Sequence, residues 1–401
     1  MKNAPLTGFR TIASAHRIFS WFSTHGKSEI AKKTRLRVAR TLLFCLTVLH
    51  LPYHQASACT RIVYNYPEKP DAKNKTVLTA RTFDWEENLP VSLWIFPRDI
   101  TRDLHGLTDP NGLKWTSKYG SVITSVYNIA TCDGMNEKGL VANILWLSES
   151  KYPEKSNSKP DLPVSAWAQY ILDNFATVAE AVDKLQDEPF TVYLVSALGE
   201  HATVHLSVSD ATGDSAIFEY IGGKLVIHHS DKYQVMTNSP IYDQQIALNK
   251  YWEEIGGFVM LPGTNRAADR FVRASFYIKA IPQTDDERMS VASVFSVIRN
   301  ASVPLGIKTK EKNISSTQWL TVADQKHMKY YFQHNLIPNI FWVDFSKLDF
   351  SAKEPKEFTL PINFDPDKND VYNKLYLGDV SKSFKNRKTP FAFLKAEPLP
   401  K

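Results

Sequence analysis

The sequence predicts a layered α+β domain in which sheets are stacked between helices. Three features support this prediction. Strand-like and helical blocks alternate from residue 59 onward, and two sets of strands are separated by pairs of helical segments. The third is composition, since 43% of the 401 residues are hydrophobic and 12% are aromatic. A chain of this kind fills a large core and is not typical of a disordered protein.

The first strands are predicted between residues 60 and 147. Two strand-like runs, 60–66 and 77–82, are joined by the polar segment PEKPDAKNK, and this pattern indicates a hairpin. Three further strand-like runs follow, at 91–96, 119–127 and 140–147. These runs account for the first set of strands.

Helices and a second set of strands are predicted after residue 160. Ala, Leu and Ile recur at three- and four-residue steps over 163–185, which predicts helix with a break between Asn174 and Thr177. Gly222-Gly223 supplies a tight turn between two later strands. The remaining predicted elements are strands at 204–208, 215–220 and 225–229, helices at 267–281 and 290–300, and aromatic strands at 327–334 and 340–345.

The net charge is unevenly distributed along the chain. Of the formal +6 at pH 7, the first 58 residues contribute nine Lys or Arg against the single acidic residue Glu29. Subtracting these from the totals of 48 basic and 42 acidic residues leaves 39 and 41, a net charge of −2 from residue 59 onward. The body of the chain therefore gives no electrostatic reason to expect a nucleic acid or an anionic membrane as partner.

Residues 1–58 resemble an export signal. A basic stretch (KKTRLRVAR, 32–40) precedes an apolar stretch (TLLFCLTVLHL, 41–51) and the small triplet Ala56-Ser57-Ala58. About eleven apolar residues are too few for a helix across a bilayer of roughly 30 Å, so no stable membrane span is expected. We therefore expect removal of 1–58, export to the periplasm or outside the cell, and one catalytic domain at 59–401. The alternative is a buried helix of a cytosolic protein.

Cleavage after Ala58 would give Cys59 a free α-amino group beside its thiol. An α-amine titrates near about 7.7–8.0, so part of it is unprotonated at neutral pH and can act as a base. A thiol with its own proton acceptor is a competent nucleophile. Two alternatives remain open: Cys59 is a lipoprotein acceptor, or it forms a disulfide with Cys132. Once Cys45 leaves with the leader, the remaining two cysteines do not make a disulfide framework.

Arg81 and Asp84 lie at the end of the second strand of the predicted hairpin, in the segment TARTFDWEEN. From there they can return to face Cys59, where a cation would favour the thiolate and a carboxylate would hold an ammonium group. By itself such a spacing is also that of an ordinary surface pair.

Five short motifs occur in a fixed order along the chain: Cys-Thr at 59–60, ARTFD at 80–84, DGMNEKGL at 133–140, MTNSP at 236–240 and DRFVR at 269–273. Together they resemble the choloylglycine hydrolase family, which comprises bile salt hydrolases and penicillin V acylases among the N-terminal nucleophile (Ntn) hydrolases. The resemblance covers most of residues 59–340. It implies a four-layer αββα fold and hydrolysis of a linear, non-peptide amide, a small-molecule substrate, without a cofactor.

The resemblance also implies a role for each matched residue: Cys59 as nucleophile, Arg81 beside its sulfur, Asp84 holding the α-amine, Asn238 donating its side-chain amide to the oxyanion, and Arg270 supporting this network. A tetrahedral intermediate needs such fixed donors. Without the resemblance, Asn238 would be interpreted as a turn residue and Arg270 as a cation on a helix face.

Two tryptophans distinguish this chain from bile salt hydrolases. Trp146 lies where those enzymes usually carry an asparagine whose backbone N–H faces the oxyanion, and any residue except proline supplies that group. Trp85 follows Asp84 and adds a second indole. Two aromatic walls suit a flat or apolar acyl group, as in the Gram-negative branch that acts on penicillin V and N-acyl homoserine lactones. The alternatives are that both are core residues, and that the substrate is a conjugated bile salt.

Assembly and metal binding are less well defined by the sequence. The interval between Asn238 and Arg270 is shorter than the excursion that helps bile salt hydrolases to form tetramers, so a homo-oligomer is expected without a fixed assembly mode. His201 and His205 flank a strand-like segment, where a four-residue spacing does not make a pair of metal ligands, and no metal site is predicted. The alternative of a different class is a lipid-anchored periplasmic ligand-binding protein.

Overall fold

A computed structural model describes most of the chain beyond the leader, and all of the described residues belong to one compact unit, Gln55–Lys401. The described residues are 58–67, 75–86, 89, 91–105, 110–156, 158–194, 203–256, 259–307, 315–337, 339–360 and 377–387. The predicted leader up to residue 57, together with Cys45 and His201, lies outside them.

The structure contains two large sheets and five helices within the described ranges. In chain order the strands are β1 (Ala58–Pro67), β2 (Lys75–Asp84), β3 (Val91–Phe96), β4 (Thr101–Asp103), β5 (Lys114–Thr116), β6 (Ser121–Val126), β7 (Ala130–Asn136), β8 (Val141–Trp146), β9 (Asp161–Pro163), β10 (Thr191–Tyr193), β11 (Val204–Ser209), β12 (Ser215–Ile221), β13 (Lys224–His229), β14 (Val235–Met236), β15 (Thr317–Asp324), β16 (Lys329–His334), β17 (Phe341–Asp344), β18 (Lys356–Thr359), β19 (Gly378–Asp379) and β20 (Lys385–Asn386). The helices are α1 (Val164–Asn174), α2 (Val178–Leu185), α3 (Tyr242–Ile255), α4 (Ala267–Ala280) and α5 (Glu287–Asn300).

The two large sheets are stacked between two helical layers. The seven-stranded sheet has the order β14-β1-β2-β15-β16-β17-β19, and the nine-stranded sheet has the order β13-β12-β11-β8-β7-β6-β3-β18-β20. Helices α4 and α5 pack on the first sheet, and α1 and α2 pack on the second. One apolar cluster joins the two sheets to α4 and α5, and another fills the space under α1 and α2. The predicted four-layer αββα fold is confirmed.

The hairpin β1–β2 brings the predicted site residues together. Its antiparallel register pairs Ala58 with Asp84, Cys59 with Phe83 and Arg61 with Arg81. Because side chains alternate between the two faces of a strand, Cys59 and Arg61 project into the layer between the sheets together with Arg81. The register of the two strands thereby places Cys59 and Arg81 on one face, although they are 22 residues apart in the sequence.

The predicted break in the first helical segment is present. Helix α1 ends at Asn174 and α2 begins at Val178, where Thr177 caps the new helix by accepting a 3.2 Å hydrogen bond from the Glu180 N–H. A threonine at this position satisfies a donor that the first turn leaves unpaired. The local capping chemistry therefore explains why the sequence signal was strong here.

The longest elements that were not predicted are α3, β7 and β15. The short strands β4, β5, β9, β10, β14, β18, β19 and β20 were not predicted either. In α3 the described buried residues are only Tyr242 and Gln245, so the helix has little apolar periodicity to detect. Strand β7 contains Asp, Gly and Asn, which disfavour strands, and β15 is buried on both faces, which removes the alternation. The predicted strand at 327–334 starts later, at Lys329, because Asp324 accepts hydrogen bonds from the turn that precedes it.

Candidate active site

Cys59 lies near the start of β1, in the layer between the two sheets. Its side chain is buried, with 2% of the residue exposed. In this uncut chain its nitrogen is a peptide N–H, which donates a 2.5 Å hydrogen bond to Asn238 Oδ1. Burial raises the pKa of the Cys59 thiol above its ordinary value, with Arg81 opposing and Asp84 adding to that change. The thiol is therefore protonated at rest and needs a base before it can attack.

Arg81 is the cation closest to the sulfur. Its Nη2 donates to Cys59 Sγ at 3.2 Å, and its Nη1 donates to the backbone oxygens of Cys132 and Ile144 at 3.0 and 3.1 Å. The guanidinium also lies over the rings of Phe83 and Trp319, 5.4 and 5.0 Å from their centroids. Although burial opposes the charge, the neighbouring cysteines and an aspartate raise the pKa of Arg81. Arg81 is thus a fixed positive charge at the sulfur.

Asp84 is fully buried at the end of β2, opposite Ala58. Its Oδ1 accepts a 2.6 Å hydrogen bond from Thr317 Oγ1, and its Oδ2 lies 3.8 Å from Arg270 Nη1. Burial raises the pKa of Asp84 to about 6, and Arg270 and Thr317 oppose that rise. At neutral pH the carboxylate is therefore ionised, close to the peptide bond that precedes Cys59.

Arg270, on α4, links the start of β1 to Asn238. Its Nη1 donates to Cys59 O and to Thr60 Oγ1, both at 2.6 Å, and its Nη2 donates to Asn238 Oδ1 at 2.8 Å. These contacts explain why a helix-face arginine is fully buried. Because two donors converge on the Asn238 oxygen, the amide orientation is fixed and its Nδ2 points the other way.

Asn238 follows β14 and is held from both sides. Its Nδ2 donates to Trp146 O at 2.8 Å, and its backbone oxygen accepts from Gln245 Nε2. Gln245 also accepts a 2.8 Å hydrogen bond from Thr237 Oγ1. Gln245 and Thr317 both hold site residues. Neither was predicted, because each lies on an element that the sequence pattern did not indicate.

Cys59 lines a cavity whose walls are mostly apolar side chains and which is partly open to solvent. Ligand sites in proteins commonly have such apolar walls with a few polar groups. Both predicted tryptophans contribute to its walls, and Trp85 Nε1 donates to Tyr127 Oη at 3.2 Å. Besides Cys59, the lining residues are Phe83, Trp85, Val126, Tyr127, Ala130, Thr131, Cys132, Ile144, Trp146, Val164, Ser165 and Val204. Apart from the two cysteines, these side chains offer few polar groups and would receive an apolar or flat acyl group.

Trp146 therefore contributes in two ways to this region. Its side chain lines the cavity, and its backbone lies in β8, opposite Val204 of β11. Its carbonyl accepts the hydrogen bond from Asn238. The expected donation of the Trp146 N–H to an oxyanion remains a prediction.

Other titratable clusters lie away from the cavity. His205 is buried and contacts Glu219, with 2.9 Å between Nδ1 and Oε1, and it does not line the cavity. Glu287, Asp324 and His327 come close together, but Lys329 Nζ lies 2.5 Å from Glu287 Oε1 and supplies the positive charge there. No helix in the described part of the chain is long and apolar enough to cross a membrane.

Comparison with known proteins agrees with this geometry. Residues 59–358 match the family model of linear amide C–N hydrolases, the choloylglycine hydrolase family. The penicillin V acylase of Pectobacterium atrosepticum is 47% identical over 384 residues, covering 90% of this chain and 99% of that protein. A bile salt hydrolase/transferase of Clostridium perfringens is 26% identical over 328 residues, 73% of this chain and 97% of that protein.

Solved structures of two enzymes are similar to this chain over most of its length. The penicillin V acylase of Agrobacterium tumefaciens has a TM-score of 0.75 at 52% identity, covering 84% of this chain and 99% of that one. A conjugated bile acid hydrolase of Clostridium perfringens shares the fold, with a TM-score of 0.63 at 24% identity over 77% of this chain and all of that one.

Proposed function

The chain belongs to the choloylglycine hydrolase family of linear amide C–N hydrolases, and on that basis we propose that it hydrolyses the side-chain amide of penicillin V. The observation that carries this proposal is the apolar cavity, which is lined by Cys59 and has aromatic side chains on its walls. A phenoxyacetyl group is flat and largely apolar, so it suits such walls. The alternative of a ligand-binding protein is set aside, because the family consists of hydrolases.

In the proposed mechanism Cys59 attacks the amide carbonyl after its own α-amine has taken the thiol proton. The amine then passes the proton to the leaving nitrogen, and water hydrolyses the thioester. Arg81 Nη2, 3.2 Å from the sulfur, favours the thiolate. Asp84 is ionised at neutral pH and would hold the ammonium form of the amine.

We assign the oxyanion donors to the Asn238 side chain and the Trp146 backbone N–H. Arg270 and the Cys59 nitrogen both bond Asn238 Oδ1, so its Nδ2 is oriented before substrate arrives. Donors that are fixed in advance stabilise the developing charge without reorganisation, and each is worth about 3–4 kcal/mol of barrier. The network around Arg270 therefore serves catalysis through the orientation of Asn238.

A second candidate substrate is an N-acyl homoserine lactone. The cavity includes the aliphatic side chains of Val126, Ile144, Val164 and Val204, which would accommodate an alkyl chain. A conjugated bile salt is the third candidate, since a bile salt hydrolase/transferase is among the relatives. The two tryptophans argue against it, because a sterol face bearing hydroxyl groups needs polar partners.

One experiment separates these substrates. Equal amounts of one preparation are given penicillin V, a long-chain acyl homoserine lactone and glycocholate, and release of the free amine is measured under the same conditions. We expect the highest kcat/KM for penicillin V or the lactone. A clear preference for glycocholate would mean that Trp85 and Trp146 do not define an acyl pocket.

We also propose that residues 1–58 form a removable export signal that leaves Cys59 as the first residue, in the periplasm or outside the cell. The match to the family model begins at residue 59, and the base that the mechanism needs is locked in a peptide bond until that cut is made. The mass of the mature N-terminus tests this. A free Cys59 is expected, whereas a diacylglyceryl Cys59 or a retained Ala58 would contradict it.

Finally, we propose that the enzyme is a homo-oligomer, a tetramer by family resemblance, with α3 and the segment after it facing a second copy. Tyr251 and Ile255 are 57% and 48% exposed, and Val259 is 94% exposed. Apolar side chains exposed together usually mark an interaction surface. Light scattering should give the mass of an oligomer, which Tyr251→Glu should reduce. A monomeric wild-type protein would contradict the proposal.

A further inference from the structure

A second thiol shares the guanidinium that contacts the nucleophile. Arg81 Nη1 donates to Cys132 Sγ at 2.9 Å, while Nη2 of the same group donates to Cys59 Sγ at 3.2 Å. The two nitrogens are bonded to one carbon, so both sulfurs contact the same guanidinium. Both cysteines are free and line the same cavity, with 2% and 4% of the residues exposed. No step of the proposed hydrolysis uses Cys132.

A β-bulge explains why Cys132 faces Arg81. Along the β6–β7 pair the register passes from Asp133 opposite Thr124 to Thr131 opposite Ser125, so Cys132 is the extra residue. As a result Thr131 bonds Gln169 of α1, whereas Asp133 bonds a residue of β15 in the facing sheet. In a regular strand residues 131 and 133 would share a face. Bulges commonly re-aim side chains beside active sites, and here the re-aimed side chain is a thiol.

We propose that Cys132 is the resolving thiol for Cys59 when a hydroperoxide enters the cavity. The Cys59 sulfur attacks one peroxide oxygen, the O–O bond breaks, and Cys59 becomes a sulfenic acid with release of water or an alcohol. The Cys132 sulfur then attacks the Cys59 sulfur, the S–O bond breaks, and the Cys132 proton leaves with the hydroxyl as water. The peroxide has accepted two electrons, and the two thiols have become one disulfide.

Arg81 assists the second step. Burial raises the pKa of the Cys132 thiol to about 12, and the Arg81 guanidinium, which donates to the Cys132 sulfur, opposes that rise. A cation beside a thiol favours the thiolate, which is the attacking species in disulfide chemistry. The disulfide would block both the nucleophile and the cavity, and a thiol reductant would restore them. It would also keep Cys59 from further oxidation to the irreversible sulfinic acid.

The test uses the mature protein, which begins at Cys59, and hydrogen peroxide. Treated samples are digested without reduction, and mass spectrometry looks for a Cys59 peptide joined to a Cys132 peptide. Activity is measured before treatment, after it, and after dithiothreitol, each value relative to the untreated sample of the same variant. We expect the cross-linked peptide in wild type, and about tenfold more recovered activity than in Cys132→Ser, whose Cys59 should accumulate as sulfinic acid.

Cys132→Ala serves as a second variant without a sulfur or a hydroxyl, in case Cys132→Ser does not fold. The cross-link in wild type is decisive on its own. Oxidation of wild-type Cys59 to sulfinic acid without a cross-linked peptide would overturn the proposal, and so would equal recovery in wild type and Cys132→Ser. The inference takes from the proposed function only that Cys59 is reactive. If the cross-link forms but no amide is hydrolysed, the proposed function alone fails.

Discussion

Two arginines face each other across the β1–β2 hairpin, and they lie in different surroundings. Arg61 and Arg81 are direct partners in the register, and both are fully buried. Arg81 contacts two thiols, which together with Asp133 raise its pKa despite burial. Burial instead lowers the pKa of Arg61 to about 9, still above neutral, and its contacts are Ser215 Oγ and two backbone oxygens.

This difference shows what turns a buried cation into part of a reactive centre. Two like charges placed opposite each other in a sheet are unfavourable, and each must be stabilised by its own neighbours. Around Arg61 those neighbours are neutral oxygens, which can only hold the charge. Around Arg81 they include two titratable thiols, and the charge of Arg81 opposes the rise that burial causes in the pKa of each.

The largest expected effect on activity comes from removing the Cys59 sulfur, to which Arg81 donates a hydrogen bond. Cys59→Ser should lower the rate of amide hydrolysis by at least about a thousandfold, or ~4 kcal/mol of barrier, because a hydroxyl gives up its proton to a base far less readily than a thiol does. The measurement is amine release from penicillin V, with removal of the leader verified by mass. Undiminished turnover in the cleaved variant would rule out the thiol mechanism.

The next effect concerns Asn238, the proposed side-chain donor to the oxyanion. Asn238→Ala should lower kcat by an amount that corresponds to about 3 kcal/mol of activation barrier, with a smaller change in KM. The reason is that the donor acts on the charge that develops at the carbonyl oxygen. Asn249→Ala is the matched control, since Asn249 is an asparagine on the exposed side of α3, where it contacts Glu253. A change confined to KM would show that Asn238 only binds the substrate.

Replacing each arginine by methionine tests the comparison directly. Arg81→Met should cost about 3 kcal/mol of unfolding free energy, because it leaves buried acidic partners without a cation, and it should slow alkylation of Cys59 at neutral pH. Arg61→Met, the matched control, should change stability by less than about 1 kcal/mol and leave the alkylation rate unchanged. Urea unfolding and iodoacetamide kinetics give both values. Equal effects of the two changes would remove the distinction.

The smallest effect is a pH dependence of stability through Asp84. Its pKa rises from 3.8 to about 6 on folding, so between these values the folded state holds a proton that the unfolded state has lost. Stability from this group is therefore greatest at low pH and decreases as pH rises through that window. Wild type minus Asp84→Asn, by urea unfolding at several pH values, should show this slope. A difference that does not vary with pH would contradict it.

Asp103→Asn is the control for that measurement. Asp103 is a surface carboxylate whose pKa is lowered, first by its hydrogen bond from Lys114. A lowered pKa gives a contribution that is present above the unfolded value and lost as pH falls. The slope from Asp103 should therefore have the opposite sign to that from Asp84.

The sequence was most informative where chemistry depends on neighbours along the chain. The break between α1 and α2 was predicted correctly because Thr177 supplies a local cap. The β1–β2 hairpin and the fold class also followed from local patterns and from five motifs in order. The catalytic roles of Cys59, Arg81 and Asp84 stay predictions, although the hairpin places all three at one end of the sheet.

What the sequence missed depends on contacts between distant elements. Helix α3 has few buried residues, so Gln245 gave no sign that it holds Asn238. Thr317 comes from β15, far along the chain, yet it bonds Asp84. The bulge that aims Cys132 at Arg81 is a mismatch between two strands, and a mismatch cannot be read from either strand alone.

By itself, then, the sequence determined the layered fold, the family and the hairpin that carries Cys59, because these follow from local periodicity and short motifs. Only the tertiary structure decided which of the two paired arginines contacts a thiol, and that two thiols share it. Both arginines follow a small or polar residue in a strand, and their surroundings differ only after the second sheet has packed against the first. The charge state of a buried group is set by the groups that surround it in space, and for Arg81 these lie on strands 51 and 63 residues away.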